Sequence, residues 1–346
     1  MTTETTQPAR PARGGLNPRE LAIRYGFLAL LLGLVVYFGI VADGFASPQS
    51  AVFVLQSVSL TGILALGVTA TLVVGGFDLS IGSVATTAMM ASSYVMVVLG
   101  GDALTATLIC LAIGVLVGLV NGVLIVYMRV PDLLATLGMM FLLLGLQRIP
   151  TEGRSIATGM TMPDGSVASG TFSPEFLALG RHRFDLFLPN FLPVSVVVLL
   201  VLAVVIWFYL EHTRFGRMMY AVGSNERAAQ LAGAPVNAYK ISAYVISGVF
   251  ASIGGILLAA RLGRGDIASG NNLLLDSVAA ALIGFAVLGA AKPNAFGTAI
   301  GALFVGVLLQ GLTMLNAPYY TQDFIKGAVL VIALIFTFAL SRRGRR

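Results

Sequence analysis

The chain runs to 346 residues, 57% of them hydrophobic and only 10% charged, with a formal net charge of +6. A soluble domain carries about 25% charged residues to face water, so this composition excludes a soluble enzyme, a nucleic-acid binder and a disordered scaffold. Mean hydropathy is +0.92, and uncharged runs long enough to cross hydrocarbon recur along the whole chain, which makes it a polytopic membrane protein.

Residues 1–20 are polar and carry Arg10, Arg13 and Arg19, the composition of a disordered cytoplasmic head. Arg24 then precedes an apolar stretch ending near Gly44-Phe45-Ala46, longer than a signal-peptide core and followed by many more spans, so it reads as the first membrane helix. About ten spans follow in order, near 25–42, 51–74, 81–100, 103–128, 131–148, 192–210, 241–260, 273–290, 295–316 and 324–341. Barrel strands would be about 10 residues long with strict alternation. These runs are longer, so the fold class is all-α, a transmembrane helical bundle filling residues 21–346.

An even number of spans puts both termini on one side. With that side cytoplasmic, the inner face collects 14 of the 21 basic residues, among them Arg129, Arg214, Arg217, Arg227, Lys240 and Lys292. The outer face keeps Arg148, Arg154, Arg181, Arg183, Arg261, Arg264 and Lys326, which satisfies the positive-inside rule. Two polar connections stand out, an outer loop at 149–191 and an inner one at 211–240. The inner loop contains a helix-compatible stretch, 225–232, closed by Gly233. Gly114, Gly118 and Gly122 recur every four residues, as do Gly297 and Gly301; each set forms a smooth stripe for close helix packing. Trp207, Phe208 and Tyr209 end one span and Tyr319 and Tyr320 begin another, the places of interfacial anchors.

Catalytic patterns are missing. None of Lys240, Lys292 and Lys326 follows glycine, so there is no phosphate-binding G-x-x-x-x-G-K-[ST] loop. Neither G-x-S-x-G nor H-E-x-x-H occurs. His182 and His212 fall in loops on opposite faces, and Cys110 is alone. No metal, cofactor or covalent chemistry is expected. Ion-coupled carriers bury titratable groups in their spans, and here only Asp276, with Asp78 between the second and third spans, stands out. That favours a passive pathway powered from elsewhere over a stand-alone or ion-coupled carrier.

Gly75-Gly76-Phe77-Asp78-Leu79-Ser80-Ile81-Gly82-Ser83 interrupts two apolar runs. The glycines can end one helix and Asp78 or Ser80 can cap the next; the same break can line a route for a polar solute. Thr213-Arg214-Phe215-Gly216-Arg217 and Ala221–Glu226 in the inner loop read either as a solvated basic connection or as a docking element for a cytoplasmic partner.

These residues resemble the ribose/xylose/galactose-type permeases of bacterial ABC importers. The likeness rests on the 75–83 segment, Asn121-Gly122, Arg129-Val130-Pro131, Thr136–Met140, Phe215-Gly216-Arg217 with Ala221–Asn225, Leu275–Ala280 and Gly297-Thr298, in that order, over about residues 20–340. It implies a homodimer in the bacterial inner membrane and a cytoplasmic ABC ATPase subunit beneath it. It also implies a periplasmic or lipid-anchored binding protein that delivers sugar. On that reading Arg214, Phe215, Gly216, Arg217, Gly223, Asn225, Glu226, Ala229 and Gly233 form the ATPase-coupling loop. Polarity within an apolar context makes Asp78, Ser80, Asn121, Thr136 and Asp276 the candidates for lining or gating the pathway. Phe77 stands where a smaller aliphatic residue is usual, and the turn at 289–296 lacks the family's glycine-rich run.

Overall fold

The computed structural model describes residues 18–186, 188–286 and 292–343. Residues 1–17 of the expected head, 287–291 of the expected turn and the terminal 344–346 lie outside the described residues. The spans expected from sequence fall on α1 (Pro18–Val41), α2 (Pro48–Val73), α3 (Ile81–Ser93), α4 (Ala103–Val126), α5 (Asp132–Leu146), α7 (Val194–His212), α10 (Val236–Leu262), α11 (Ser269–Ala286), α12 (Ala295–Met314) and α13 (Tyr319–Arg343). Helix α3 runs on through a π-helical turn, Tyr94–Val98. Among the described residues seven helices are long and apolar enough to cross a membrane, and α1 and α11 contribute shorter apolar stretches at 26–41 and 272–285. The molecule is a helical polytopic membrane protein.

The outer loop is more ordered than its polar composition suggested. It holds a two-residue strand β1 (Ile156–Ala157), the helix α6 (Pro174–Arg181) and an antiparallel hairpin of β2 (Arg183–Leu186) and β3 (Leu188–Pro193). Ser173 caps α6 by accepting the Phe176 N–H. Strand β1 pairs with β4 (Arg264–Gly265), from the connector between α10 and α11. In the inner loop the expected helix is α9 (Glu226–Leu231). Asn225 caps it by accepting the Ala228 N–H at 3.0 Å. Gly233 at φ +82° lets its own N–H and that of Ala234 turn back to the carbonyls of Gln230 and Ala229. An additional helix, α8 (Arg214–Ser224), precedes it, capped by Thr213 on the Gly216 N–H.

Helices α2, α3, α10 and α12 turn most of their surface inward, whereas α4, α5 and α7 each keep one apolar side outward, as with Leu116, Leu142 and Val204. Lipid supplies no hydrophobic drive between helices, so contact depends on backbones approaching closely. The glycine stripe of α4 does this against α10. A Cβ at Gly114 would meet the Gly248 carbonyl and the Ser252 hydroxyl; one at Gly118 would lie 2.5 Å from the Tyr244 carbonyl. Gly297 and Gly301 of α12 sit likewise on the carbonyls of Gly284 and Ala280 in α11. Trp207 packs between the rings of His212 and Phe296 at the end of α7. Tyr319 and Tyr320 remain exposed.

Contacts between connectors sort by side. On one side Gly223 rests on the end of α2, Lys292 pairs with Glu211 at 3.0 Å, and the Tyr220 hydroxyl donates to the Pro293 carbonyl at 2.7 Å. On the other, Gly170 donates to the Val97 carbonyl, Arg181 to that of Arg261 and Gln147 to that of Ile267. These are the faces that the arginine and lysine distribution marks as inner and outer.

Candidate functional site

The break between α2 and α3 is built in two steps. Gly75, at φ +77°, ends α2: its N–H returns to the Leu72 carbonyl and that of Gly76 to the Thr71 carbonyl. This left-handed stop is one only glycine enters without cost. Ser80 then occupies the position before α3 but makes no side-chain cap; the capping expected of it is replaced by a tertiary network.

Asp78 is at the centre of that network and is 2% exposed. Its Oδ1 accepts from the Ser80 N–H at 2.8 Å and the Ser80 hydroxyl at 2.6 Å, and its Oδ2 accepts from the Ser247 hydroxyl of α10 at 2.7 Å. The Asn121 amide of α4 donates to the Ser80 oxygen at 3.0 Å. Three of the five expected pathway residues therefore meet, although 43 positions separate Asp78 from Asn121 in the chain. A fourth lies close by: Thr136 donates to the Asp132 carbonyl at 2.8 Å, and the Asp132 carboxylate accepts the Phe77 N–H at 2.7 Å. All four side chains are buried. Inside a bundle the alternative to such hydrogen bonds is an unsatisfied buried group, so a fully bonded cluster holds its members in one arrangement. The cluster thus ties the α2–α3 bend to α4, α5 and α10.

Asp276 lies elsewhere. It is buried on α11 and faces Lys326 of α13, whose ammonium stands 3.4 Å from Oδ1. This is an ion pair but not an aligned hydrogen bond, and Oδ1 has no hydrogen-bond partner. Lys326, counted on the outer face from sequence, is in the second turn of α13, and its side chain pairs with Asp276.

In the inner loop, Arg214, Phe215, Arg217, Asn225, Glu226 and Gly233 are exposed, whereas Gly216 is buried where a Cβ would strike the backbone of Leu210. Ala229 packs with Val222 and Val236, fixing α9 against α8 and α10. Gly223 abuts the Val73 carbonyl, and a Cβ there would lie 3.1 Å from the Gly75 nitrogen. Glu226 pairs with Lys240 of α10 at 2.6 Å. Burial, then the neighbouring Glu211 carboxylate, holds the Tyr220 hydroxyl above the usual phenol range, so it stays a neutral donor at the foot of α12. Ser247, Asp132, Tyr244, Lys240 and Lys326 were not singled out from sequence. A serine or tyrosine in an apolar run, or one acid at a helix start, carries no signal by itself. Among the described residues no group of three or more His, Cys, Asp or Glu could hold a metal ion.

The sequence was then compared with known proteins. A family model described as the permease component of a branched-chain amino acid transport system matches residues 50–334. The ribose import permease of Escherichia coli is 35% identical over 309 residues, covering 89% of this chain and 91% of that protein. The L-arabinose ABC transporter permease of Azospirillum brasilense is 32% identical over 338 residues, 95% and 91% of the two chains. The xylose transport system permease of Haemophilus influenzae is 30% identical over 365 aligned positions, 90% and 94% of the two. No solved structure matches the chain. With most of its length aligned to permeases and its bundle helical throughout, the chain belongs to the branched-chain amino acid transport system permease component family.

Proposed function

We propose that this chain is the membrane-spanning subunit of an ATP-binding-cassette importer that carries a monosaccharide across the inner membrane of a bacterium. The observation that carries the proposal is near-full-length alignment to permeases named for ribose, arabinose and xylose. Ten crossings with cytoplasmic termini fit the connector contacts, which pair inner with inner and outer with outer. The chain works by alternating access in a dimer with a second copy, has no ATPase site of its own, receives sugar from a binding protein outside, and binds no nucleic acid.

Power enters at the 211–240 loop. The ATPase grips α8 and α9 through Arg214, Phe215, Arg217, Asn225 and Glu226, while Gly216, Ala229 and Gly233 keep the two helices in shape. Gly223 rests directly on the end of α2, so a shift of α8 moves the Gly75 turn and the Asp78 cluster with it. Packed elements of this kind have discrete arrangements rather than continuous ones. Asp78, Ser80, Asn121 and Thr136 then act together as the gate, and Asp276 lines a separate stretch of the route.

Uptake of labelled D-ribose, L-arabinose and D-xylose by cells with and without the chain is the test. Loss of one uptake on deletion, restored by the wild-type chain and dependent on ATP, is expected. Sugar exchange by the purified chain alone in liposomes would overturn the proposal in favour of a stand-alone carrier.

A further inference from the structure

A groove of about 980 Å³ lies among α4, α7 and α10, and every residue that lines it is uncharged. Its apolar shaft is made by Leu119 of α4, Val205 of α7 and Val245 and Phe250 of α10. Its polar side chains gather at the inner end. Tyr127 and Tyr209 stand there at the ends of α4 and α7, Asn237 is in the first turn of α10, and Gln230 comes from α9. Ser242 lies deeper, but its hydroxyl turns back to the Tyr239 carbonyl at 2.9 Å.

The groove has the depth of one leaflet. From Asn237 to Phe250 a helix rises about 20 Å at 1.5 Å per residue, and half of a bilayer about 40–45 Å thick with its headgroups is as deep. It therefore runs from headgroup level to the bilayer middle, whereas a crossing helix of a second copy needs a seam through both leaflets. Around it α4 and α7 keep Leu116, Val120, Val201 and Val204 exposed, so the groove is a recess in a lipid-facing surface. A wholly apolar solute would leave the polar rim against hydrocarbon, where unmet polar groups are costly, and a wholly polar one would leave the shaft unfilled. A glycerophospholipid matches both ends. An acyl chain fills the shaft, and phosphodiester oxygens accept from the Tyr127 hydroxyl and the Gln230 and Asn237 amides, all on exposed residues. We propose that one phospholipid of the inner leaflet is seated in this groove as a bound ligand. It braces α9 of the inner loop against α10, the helix whose Ser247 bonds Asp78. The seat itself does not depend on the importer reading.

Native mass spectrometry of the full chain, released from nanodiscs of phosphatidylethanolamine and phosphatidylglycerol, tests this. One phospholipid per chain should survive the activation that strips loosely held lipid, and its mass identifies the headgroup kept. Val205 and its neighbour Val204 are 55% and 53% exposed, but only Val205 lines the groove. Val205→Trp should therefore expel the retained lipid, and Val204→Trp should keep it. Gln230→Ala combined with Asn237→Ala, on exposed positions that leave the shaft untouched, should weaken retention about tenfold. Equal retention in the wild type and all three variants overturns the proposal. So does loss in Val204→Trp equal to that in Val205→Trp, which marks loosely held lipid only. A change from dimer to monomer in Val205→Trp alone assigns the groove to a second copy and overturns the lipid seat.

Discussion

Two carboxylates lie among the helices, and they are stabilised in opposite ways. Asp78 has no cation: a backbone amide and two hydroxyls, from Ser80 and Ser247, donate to it. Asp276 has a cation, Lys326, and an oxygen that no donor reaches in hydrogen-bonding geometry. The first arrangement is directional and welds four segments into one unit. The second is a charge pair between two helices, α11 and α13, tolerant of small displacements. A bend that transmits movement needs the former, whereas a seam between helices needs only that its charges stay together.

The comparison breaks most severely at Asp78. Asp78→Ala leaves three buried donors without an acceptor, at about 1–3 kcal/mol each, which approaches the whole stability of a marginal fold. The expected outcome is a steep fall in monodisperse protein after detergent extraction, with no second substitution restoring it. Lys326→Met is next. It strands Asp276 in a buried site at a cost of about 3–5 kcal/mol. Here rescue is expected: Asp276→Asn with Lys326→Met removes both charges and should recover most of the lost denaturation midpoint. A double variant as unstable as Lys326→Met alone would mean that Asp276 is held by something other than its charge partner.

What the sequence disclosed follows the range of the interaction. The helices were legible because the apolar runs are local. Glycine stops at Gly75 and Gly233 were legible because each needs only its neighbours within a few residues. The ordered outer loop was not, because its polar composition resembles any solvent-facing connection and its pairing partner β4 lies about a hundred residues on. Convergence of Asp78, Ser80 and Asn121 was suggested only by their polarity, and the donor that completes it, Ser247, is one serine among several in α10. Pairing of Lys326 with Asp276 was not legible, because counting charges by face says nothing of which way a side chain turns or of a partner 50 residues earlier.

A smaller effect sharpens the directional half of the comparison. Ser247→Ala removes one of the three donors to Asp78 and leaves two, for a loss of about 1 kcal/mol, the net worth of an intramolecular hydrogen bond. Its signature is functional as well as energetic, because α10 would no longer be tied to the bend. The denaturation midpoint should fall modestly while sugar-stimulated ATP hydrolysis by the assembled importer falls more. Equal falls in both would reduce Ser247 to a packing residue.

Tyr244→Phe should cost least of all, under about 0.5 kcal/mol, because the hydroxyl it deletes has no partner to lose. The ring remains against the Gly76 turn, and Gly76 still has the room it needs. Removing an unpaired buried donor can even raise stability, since its desolvation is then no longer uncompensated. Denaturation midpoints of wild type and Tyr244→Phe that agree, alongside a lower sugar uptake by the variant, would locate the purpose of the hydroxyl in transport. A midpoint that drops by several degrees would show instead that the hydroxyl serves the fold.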